Sequence, residues 1–490
     1  MNITLILEMA SSAGDRPAVT AGGRALTAAQ ILRLAQGAAG PFRRYPAVLY
    51  LGTNHLAYPV ALFGAALAGV PFVPVNYRLG GAQIDGLVRR HPGALVLRQD
   101  DLDGLLGPAA SSAAPGVTAA GEAGHDGATE PLADAEDPVA AFLYTSGTTA
   151  EPKAAVLRHR HLLAYVLNTV EFGTAGERDA ALVAVPPYHI AGLASLLTNL
   201  YAGRRVVYLA AFDAAEWLRA VRREEITHAL VVPTMLARIV AEVGDGDAGT
   251  PTLRSLAYGG ARTPRPVLER ALRAFPGTGF VNAYGLTETA SSVAVLTPGD
   301  HRAALESDDP AVAARLGSVG RALPGVEFQI RASDGRPAAA GVSGLVFVRG
   351  DQISGEYGGR RALDPDGWFA TRDTGRMDAD GYLFIEGRAD DTIIRGGENI
   401  APAEIEDVLL AHPGITEAAV VGVPDPEWGQ RLVAVVVGDG DPAEIRQWVR
   451  DRLRSAKTPD AVVFRPELPK TETGKLLRRV LLAELETAHA

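Results

Sequence analysis

The 490-residue chain contains no cysteine. That excludes disulfides, thiolate metal sites and a cysteine nucleophile, and it fits a reducing cytoplasm. Positive charge is in deficit as well: Lys and Arg total 47 against 57 Asp and Glu, a formal net charge of −10. Polynucleotide partners demand a basic face, so nucleic acid is not expected as a ligand. Long apolar runs are missing. The longest block, Tyr58 to Val70, falls short of the ~18 residues a membrane span needs, ends at Pro71, and reads as a buried helix. The first residues, MNITLILEMASS, lack the basic n-region of a signal peptide. What is present is apolar mass: 47% of the residues are hydrophobic, enough for large cores, and the length suits about three domain-sized units.

Helical patterns alternate with short apolar strands over the first hundred residues. Leu26–Ala38 reads as a helix, and 47–51 and 71–75 read as strands; NYRL, Asn76 to Leu79, follows the second strand. This alternation predicts α/β layers with a largely parallel sheet. Residues 107–136 are rich in Ala, Gly, Ser and acids, a composition that reads as a surface excursion. Further strands are expected at 139–144, 180–185, 206–209, 229–232, 256–258 and 280–284. After residue 317 the texture turns to short strands and Gly/Asp turns, the mark of a smaller β-rich subdomain. The tail alternates strand and helix in an α+β pattern. Within it, Asp441, Pro442 and Glu444 suggest an N-cap, a first-turn proline and a capping-box acid.

The densest polar stretch is TSGTTAEPK, Thr145 to Lys153, between an apolar strand and a return strand beginning at Ala154. Hydroxyls and backbone N–H groups at that density suit a polyphosphate, and Lys153 adds a point charge. It is not a Walker A loop, because Lys153 opens a strand rather than a helix. PPYHIAG, Pro186 to Gly192, sets Tyr188 and His189 at the carboxyl end of a strand, where open α/β sheets collect ligands. His189 there is either a hydrogen-bonded structural histidine or a ligand-facing one. Small residues at Gly259, Gly260 and Ala261 either let a ligand lie against the backbone or form a turn. In YGLTETA, Tyr284 offers a face for a base and Glu288 a carboxylate suited to Mg²⁺. Asp373 in TRDTG can accept from two ribose hydroxyls, Arg388 can reach ribose or phosphate, and Lys475 sits on a glycine turn in LPKTETGKLLRR. Together these residues read as an ATP site with Mg²⁺, completed from the C-terminal end.

TSGTTAEPK, YGLTETA, GWFATRDTG, GRADD and PKTETGK, in that order, resemble the motifs of the acyl-adenylate-forming superfamily: acyl-CoA synthetases, peptide-synthetase adenylation domains and luciferases. The resemblance spans 139–475. It implies a large N-terminal domain, 1–388, of layered α/β subdomains plus a β-rich subdomain, and a small mobile α+β domain, 389–490. It implies that Thr145, Ser146, Gly147, Thr148, Thr149 and Lys153 grip phosphates, with Gly260, Ala261, Tyr284 and Gly285 beside the nucleotide. Thr287 then approaches the α-phosphate, Glu288 holds Mg²⁺, Asp373 and Arg388 take the ribose, and Asp390 is the hinge. Lys475 bridges the substrate carboxylate and the α-phosphate.

His189 matches the residue that gates the acyl pocket. Ile190, Val232, Met235, Tyr258, Gly259, Asn282, Ala283 and Ala290 are the other pocket candidates. No acidic residue among them awaits an ammonium, which favours an aryl or medium-length acyl carboxylate over an amino acid. Arg78, Gly396, Gly397, Trp428 and Lys457 fall to the acceptor side. The implied activity is ATP-dependent formation of acyl-AMP, then transfer to a thiol, with CoA as acceptor. The alternatives are delivery to an acyl-carrier protein or a non-thiol nucleophile, and a degenerate adenylate-binding protein. Departures from the pattern are Ala150 and Arg372, each in place of glycine, and Leu345 in place of an acid.

Overall fold

A computed structural model of the chain describes residues 1–12, 14–107, 137–145, 153–358, 360–395, 398–453, 455–471 and 474–487. The fold is mixed α/β. Its largest sheet has nine strands, and the central ones (Arg205–Tyr208, Ala180–Val183, His228–Val231, Ser255–Gly259 and Gly279–Leu286) run parallel. Antiparallel strands close both edges. A seven-stranded sheet repeats the plan. Leu95–Arg98, Val48–Leu51, Phe72–Pro74 and Val139–Thr145 are parallel, and Lys153–Arg158 returns antiparallel to the last. Strands buried on both faces explain why they read as continuous apolar runs rather than alternating ones.

Local chemistry sets the boundaries. The first long helix starts at Ala28, not Leu26, because Thr27 caps it. The Thr27 Oγ1 accepts from the Gln30 amide at 3.1 Å, and the Gln30 side chain accepts from the Thr27 amide at 2.8 Å. Leu26 belongs to strand Arg24–Thr27. The apolar block forms helix Ala57–Ala68, buried almost all round, and Gly69 ends it in the left-handed conformation at φ 74°. Two side chains at its start tie the sheets together. Asn54 donates to the carbonyls of Val185 (3.1 Å) and Leu209 (3.0 Å), and the Tyr58 hydroxyl donates to the Pro187 carbonyl at 3.0 Å. The segment that carries His189 is thereby anchored from below.

Val326–Arg331, Gly344–Gly350, Phe369–Met377 and Leu383–Arg388 form the β-rich unit, a four-stranded antiparallel sheet. Beyond it, strands Ile415–Asp425, Gly429–Gly438 and Ala461–Phe464 make a small sheet covered on both faces. Ile405 and Leu409 of helix Pro402–Leu410 and Ile445 and Val449 of helix Pro442–Arg450 fill one core. Leu481 and Leu485 of helix Arg478–Thr487 fill the other. Both cores draw only on residues beyond 392. One expectation is corrected here: Asp441 caps by accepting from the Ala443 amide at 3.1 Å, and Glu444 returns no hydrogen bond to complete a box.

Candidate active site

Strand Gly279–Leu286 and the antiparallel strand Ser291–Leu296 are joined by a short 3-10 turn, Thr287–Thr289. A register shift falls between Tyr284 and Gly285, and a Cβ on Gly285 would lie 2.0 Å from the Ser291 carbonyl oxygen, so only glycine fits. Ala290, at φ 52°, completes the reversal. The turn lifts Glu288 off the sheet. Its main-chain carbonyl accepts from the amides of Ser354 (2.9 Å) and Gly355 (3.3 Å), and its side-chain Oε1 accepts from the Tyr357 hydroxyl.

Asp373 lies next to this turn on strand Phe369–Met377 and is buried. Arg388 Nη1 donates to its Oδ1 at 2.8 Å, and the Tyr284 hydroxyl donates to its Oδ2 at 2.5 Å. Each carboxylate oxygen has a further lone pair beyond these bonds. Arg388 also donates to the Thr371 carbonyl at 3.2 Å. Burial pushes the Tyr284 phenol well above its usual range, and the Asp373 charge adds to that, so Tyr284 remains a donor.

Lys475 arrives from the far end of the chain. Its amide donates to Thr471 Oγ1 at 3.0 Å, within a turn closed by a 2.7 Å bond from the Thr471 amide to the Lys475 carbonyl. Gly474 stands at φ 79° so close to Thr234 that a Cβ would fall 2.3 Å from its methyl group. The turn is therefore docked on helix Pro233–Val243 of the large sheet's layer. An Arg262–Asp407 ion pair crosses the same junction. Loss of water around the Lys475 ammonium lowers its pKa from 10.5. Arg388 lowers it further, while Asp373, Asp391 and Glu288 oppose the shift. All four groups are thus within electrostatic reach of Lys475.

Other candidates fall around this cluster. Thr145 pairs with Lys153 where the strands either side of the threonine-rich segment meet; Ser146, Gly147, Thr148 and Thr149 lie outside the described residues, as do Gly396 and Gly397. Gly259 pairs with Ala283, and a Cβ there would meet the Ala283 carbonyl oxygen at 2.1 Å. Gly260 follows at φ 86°, with Ala261 after it. Val232 and Met235 open the helix that receives the Lys475 turn. Tyr258 is turned into the core, its hydroxyl on His301 Nε2 at 2.9 Å, and Asn282 donates to the Ser318 carbonyl at 3.1 Å. His189 stands at the N-cap of helix Ile190–Ala202. It begins an aromatic chain: His189 to Tyr188 at 5.1 Å, Tyr188 to Tyr77 at 5.7 Å, and the Arg78 guanidinium 5.4 Å from the Tyr77 ring.

Of the residues expected to meet the acceptor, Trp428 is 46% exposed with Arg395 at 5.5 Å from its ring, so it is not a core residue. Lys457 is engaged by Glu404. Asp390 lies 3.8 Å from Arg372, which adopts φ 63°. Sequence reasoning passed over Tyr357. Nothing in the one-dimensional pattern joins it to Glu288, 69 residues away.

Residues 7–357 match the AMP-binding enzyme family, and 404–475 match the AMP-binding enzyme C-terminal domain. The chain belongs to the AMP-binding enzyme family. It is 36% identical over 476 residues to a feruloyl-CoA synthase of Amycolatopsis sp., covering 94% of each chain. It is 34% identical to the fatty acid–[acyl-carrier-protein] ligase ScoC of Streptomyces coeruleorubidus, covering 95% of this chain and 92% of that one. Among solved structures, the o-succinylbenzoate CoA synthetase of Bacillus subtilis in complex with its acyl-adenylate intermediate aligns with a TM-score of 0.81 at 27% identity. That alignment covers 97% of both chains.

Proposed function

We propose that the chain is an AMP-forming acid–thiol ligase that activates an aryl carboxylic acid with ATP and passes the acyl group to CoA. The observation that carries the reading is the hydrogen-bonded set of Tyr284, Asp373 and Arg388, which with Glu288 lies within electrostatic reach of Lys475, from segments up to 187 residues apart in sequence. Relatives named as feruloyl-CoA synthase and o-succinylbenzoate CoA synthetase support the aryl acid and the thiol. The absence of an acid among the acyl-pocket candidates of the sequence, Ile190 to Ala290, agrees with them.

In the first step the substrate carboxylate attacks the α-phosphate and pyrophosphate leaves. Both reactants are anions, so the barrier is largely charge repulsion. The Lys475 ammonium lies between the attacking carboxylate and the α-phosphate and stabilises the charge shared between them, while Thr287 hydrogen-bonds the same phosphate. Asp373 and Arg388 fix the ribose, Tyr284 and the Gly260–Ala261 backbone border the adenine, and the Thr145–Lys153 loop holds the β- and γ-phosphates. Among the described residues no group of three or more His, Cys, Asp or Glu side chains could hold a metal. A single carboxylate, Glu288, with phosphate oxygens and water as the other ligands, suits Mg²⁺, whose charge would neutralise the polyphosphate. Domains 1–388 and 389–490 then rotate about Asp390. Lys475 withdraws, and the Gly396–Gly397 face with Trp428 meets the thiol. His189 gates the acyl pocket. No helix among the described residues is long and apolar enough to cross a membrane, and we place the reaction in the cytoplasm, where ATP and CoA are supplied.

Acid-dependent pyrophosphate release across a panel of aryl, alkyl and amino acids tests the reading. Release that becomes steady turnover with CoA, with acyl-CoA seen by mass, supports it. Release with hydroxylamine but not with CoA moves the acceptor to a carrier protein, the second reading favoured by the ScoC relative. No acid-dependent release with any acid contradicts both.

The lowered Lys475 pKa has a kinetic consequence. The charged form is the active one, so adenylation kcat/KM declines as pH rises through a midpoint below the ordinary lysine value of 10.5. A profile of pyrophosphate release across the alkaline range checks it. A midpoint at or above 10.5 contradicts the assignment, and an arginine at 475 that supports turnover flattens the limb.

A further inference from the structure

The segment Ser354–Tyr357 touches two parts of the site at once. On one side it is stitched to the return strand of the phosphate hairpin. Tyr357 pairs with Ala155, the Ser354 hydroxyl donates to the Val156 carbonyl, and Glu356 forms a bidentate pair with Arg158 at 2.9 and 3.0 Å. On the other side the amides of Ser354 and Gly355 hold the Glu288 carbonyl, and the Tyr357 hydroxyl holds Glu288 Oε1. Glu288 is thus gripped at both main chain and side chain by a strand that also carries the phosphate loop's return arm.

We propose that Tyr357 is a positioning residue for Glu288: its hydroxyl fixes one carboxylate oxygen and leaves the other aimed at the metal–nucleotide complex. The inference rests on the reading of Glu288 as the Mg²⁺ ligand. A free glutamate samples several rotamers, and ordering it on binding costs free energy that a fixed one avoids. A ligating carboxylate that is itself hydrogen-bonded binds its metal more tightly for this reason. The tyrosine suits the task. Its hydroxyl donates to Glu288 Oε1, and its ring packs against the cluster of Val293, Val326, Val348, Ile353 and Phe369. The hydroxyl is therefore presented from a fixed base. Tyr357→Phe removes the donor and keeps that packing.

The test is calorimetric titration of the purified full chain with ATP, in Mg²⁺ and in excess EDTA, for wild type, Tyr357→Phe, Glu288→Ala and the double variant. Mn²⁺ binding read by electron paramagnetic resonance supplies the same comparison without turnover. Tyr357→Phe is expected to weaken metal-dependent ATP binding about 10-fold and to leave binding in EDTA unchanged. Glu288→Ala should abolish the gain from the metal, and Tyr357→Phe should add nothing in that background. If Tyr357→Phe matches or exceeds wild type while Glu288→Ala loses metal dependence, the tyrosine inference is overturned and the reading of Glu288 stands. If Glu288→Ala keeps its metal dependence, both are overturned.

Discussion

Lys475→Ala slows acyl-adenylate formation by about 10²–10³ and leaves thiolysis of a supplied acyl-AMP close to the wild-type rate. The first number is that of removing one donor aimed at transition-state charge in a partly dehydrated site. The second follows from the architecture. Lys475 rides on a turn docked against Thr234 and meets the Asp373–Arg388–Glu288 cluster from outside the sheets that build it. Once the adenylate exists, the carboxylate charge is spent and the pyrophosphate charge has left, and in the proposed mechanism the thiol enters on the side the lysine occupied. Two single-turnover assays separate the steps: pyrophosphate release from acid and ATP, and CoA thioester formation from synthetic acyl-AMP. Equal losses in both would contradict an active site that exchanges one wall between its half-reactions.

The largest expected effect on stability comes from the Arg158–Glu356 pair. Both side chains are only 2% exposed, and the guanidinium also bonds the Asp137 carbonyl. Removing Glu356 takes the bidentate carboxylate from a buried guanidinium that keeps the Asp137 carboxylate at 3.7 Å, a loss of about 3 kcal/mol, the low end for breaking a buried pair. Glu356→Ala should therefore lower the apparent melting temperature by roughly 5–10 °C. The paired change Arg158→Met with Glu356→Leu removes both charges and should recover most of that loss. Salt should matter little, because the pair lies out of solvent. Thermal melts of the three proteins decide the point. An unchanged melt for Glu356→Ala, or a double variant as unstable as the single one, would show that charge burial is not what this pair contributes.

The two cases mark where the sequence was informative. Strands buried in parallel sheets announce themselves as apolar runs, and the loops between them carry the polar motifs, so Glu288, Asp373, Arg388 and Lys475 could each be picked out along the chain. Their meeting point could not. Tyr284 and Asp373 are 89 residues apart, Glu288 and Tyr357 are 69 apart, and Arg158 and Glu356 are 198 apart. Such pairs are set by sheet register, which local pattern does not encode. Local rules failed where two chemistries compete for one residue. Asp441 had the spacing of a capping box, yet its carboxylate takes the Ala443 amide and the reciprocal bond is absent. Thr27, with the same spacing to Gln30, makes both bonds and moves the helix start. Arg372 read only as a departure from glycine. In the fold it adopts a left-handed backbone at φ 63° and places a cation 3.8 Å from Asp390.

The central claim is attack of a carboxylate oxygen on the α-phosphate of ATP. Turnover of an accepted aryl acid labelled with oxygen-18 in its carboxyl group, followed by mass spectrometry of the nucleotide product, tests it most directly. The account predicts AMP carrying one labelled oxygen from the acid, with pyrophosphate unlabelled. Unlabelled nucleotide, with the label in inorganic phosphate and ADP as the product, would place the attack on the γ-phosphate and contradict it.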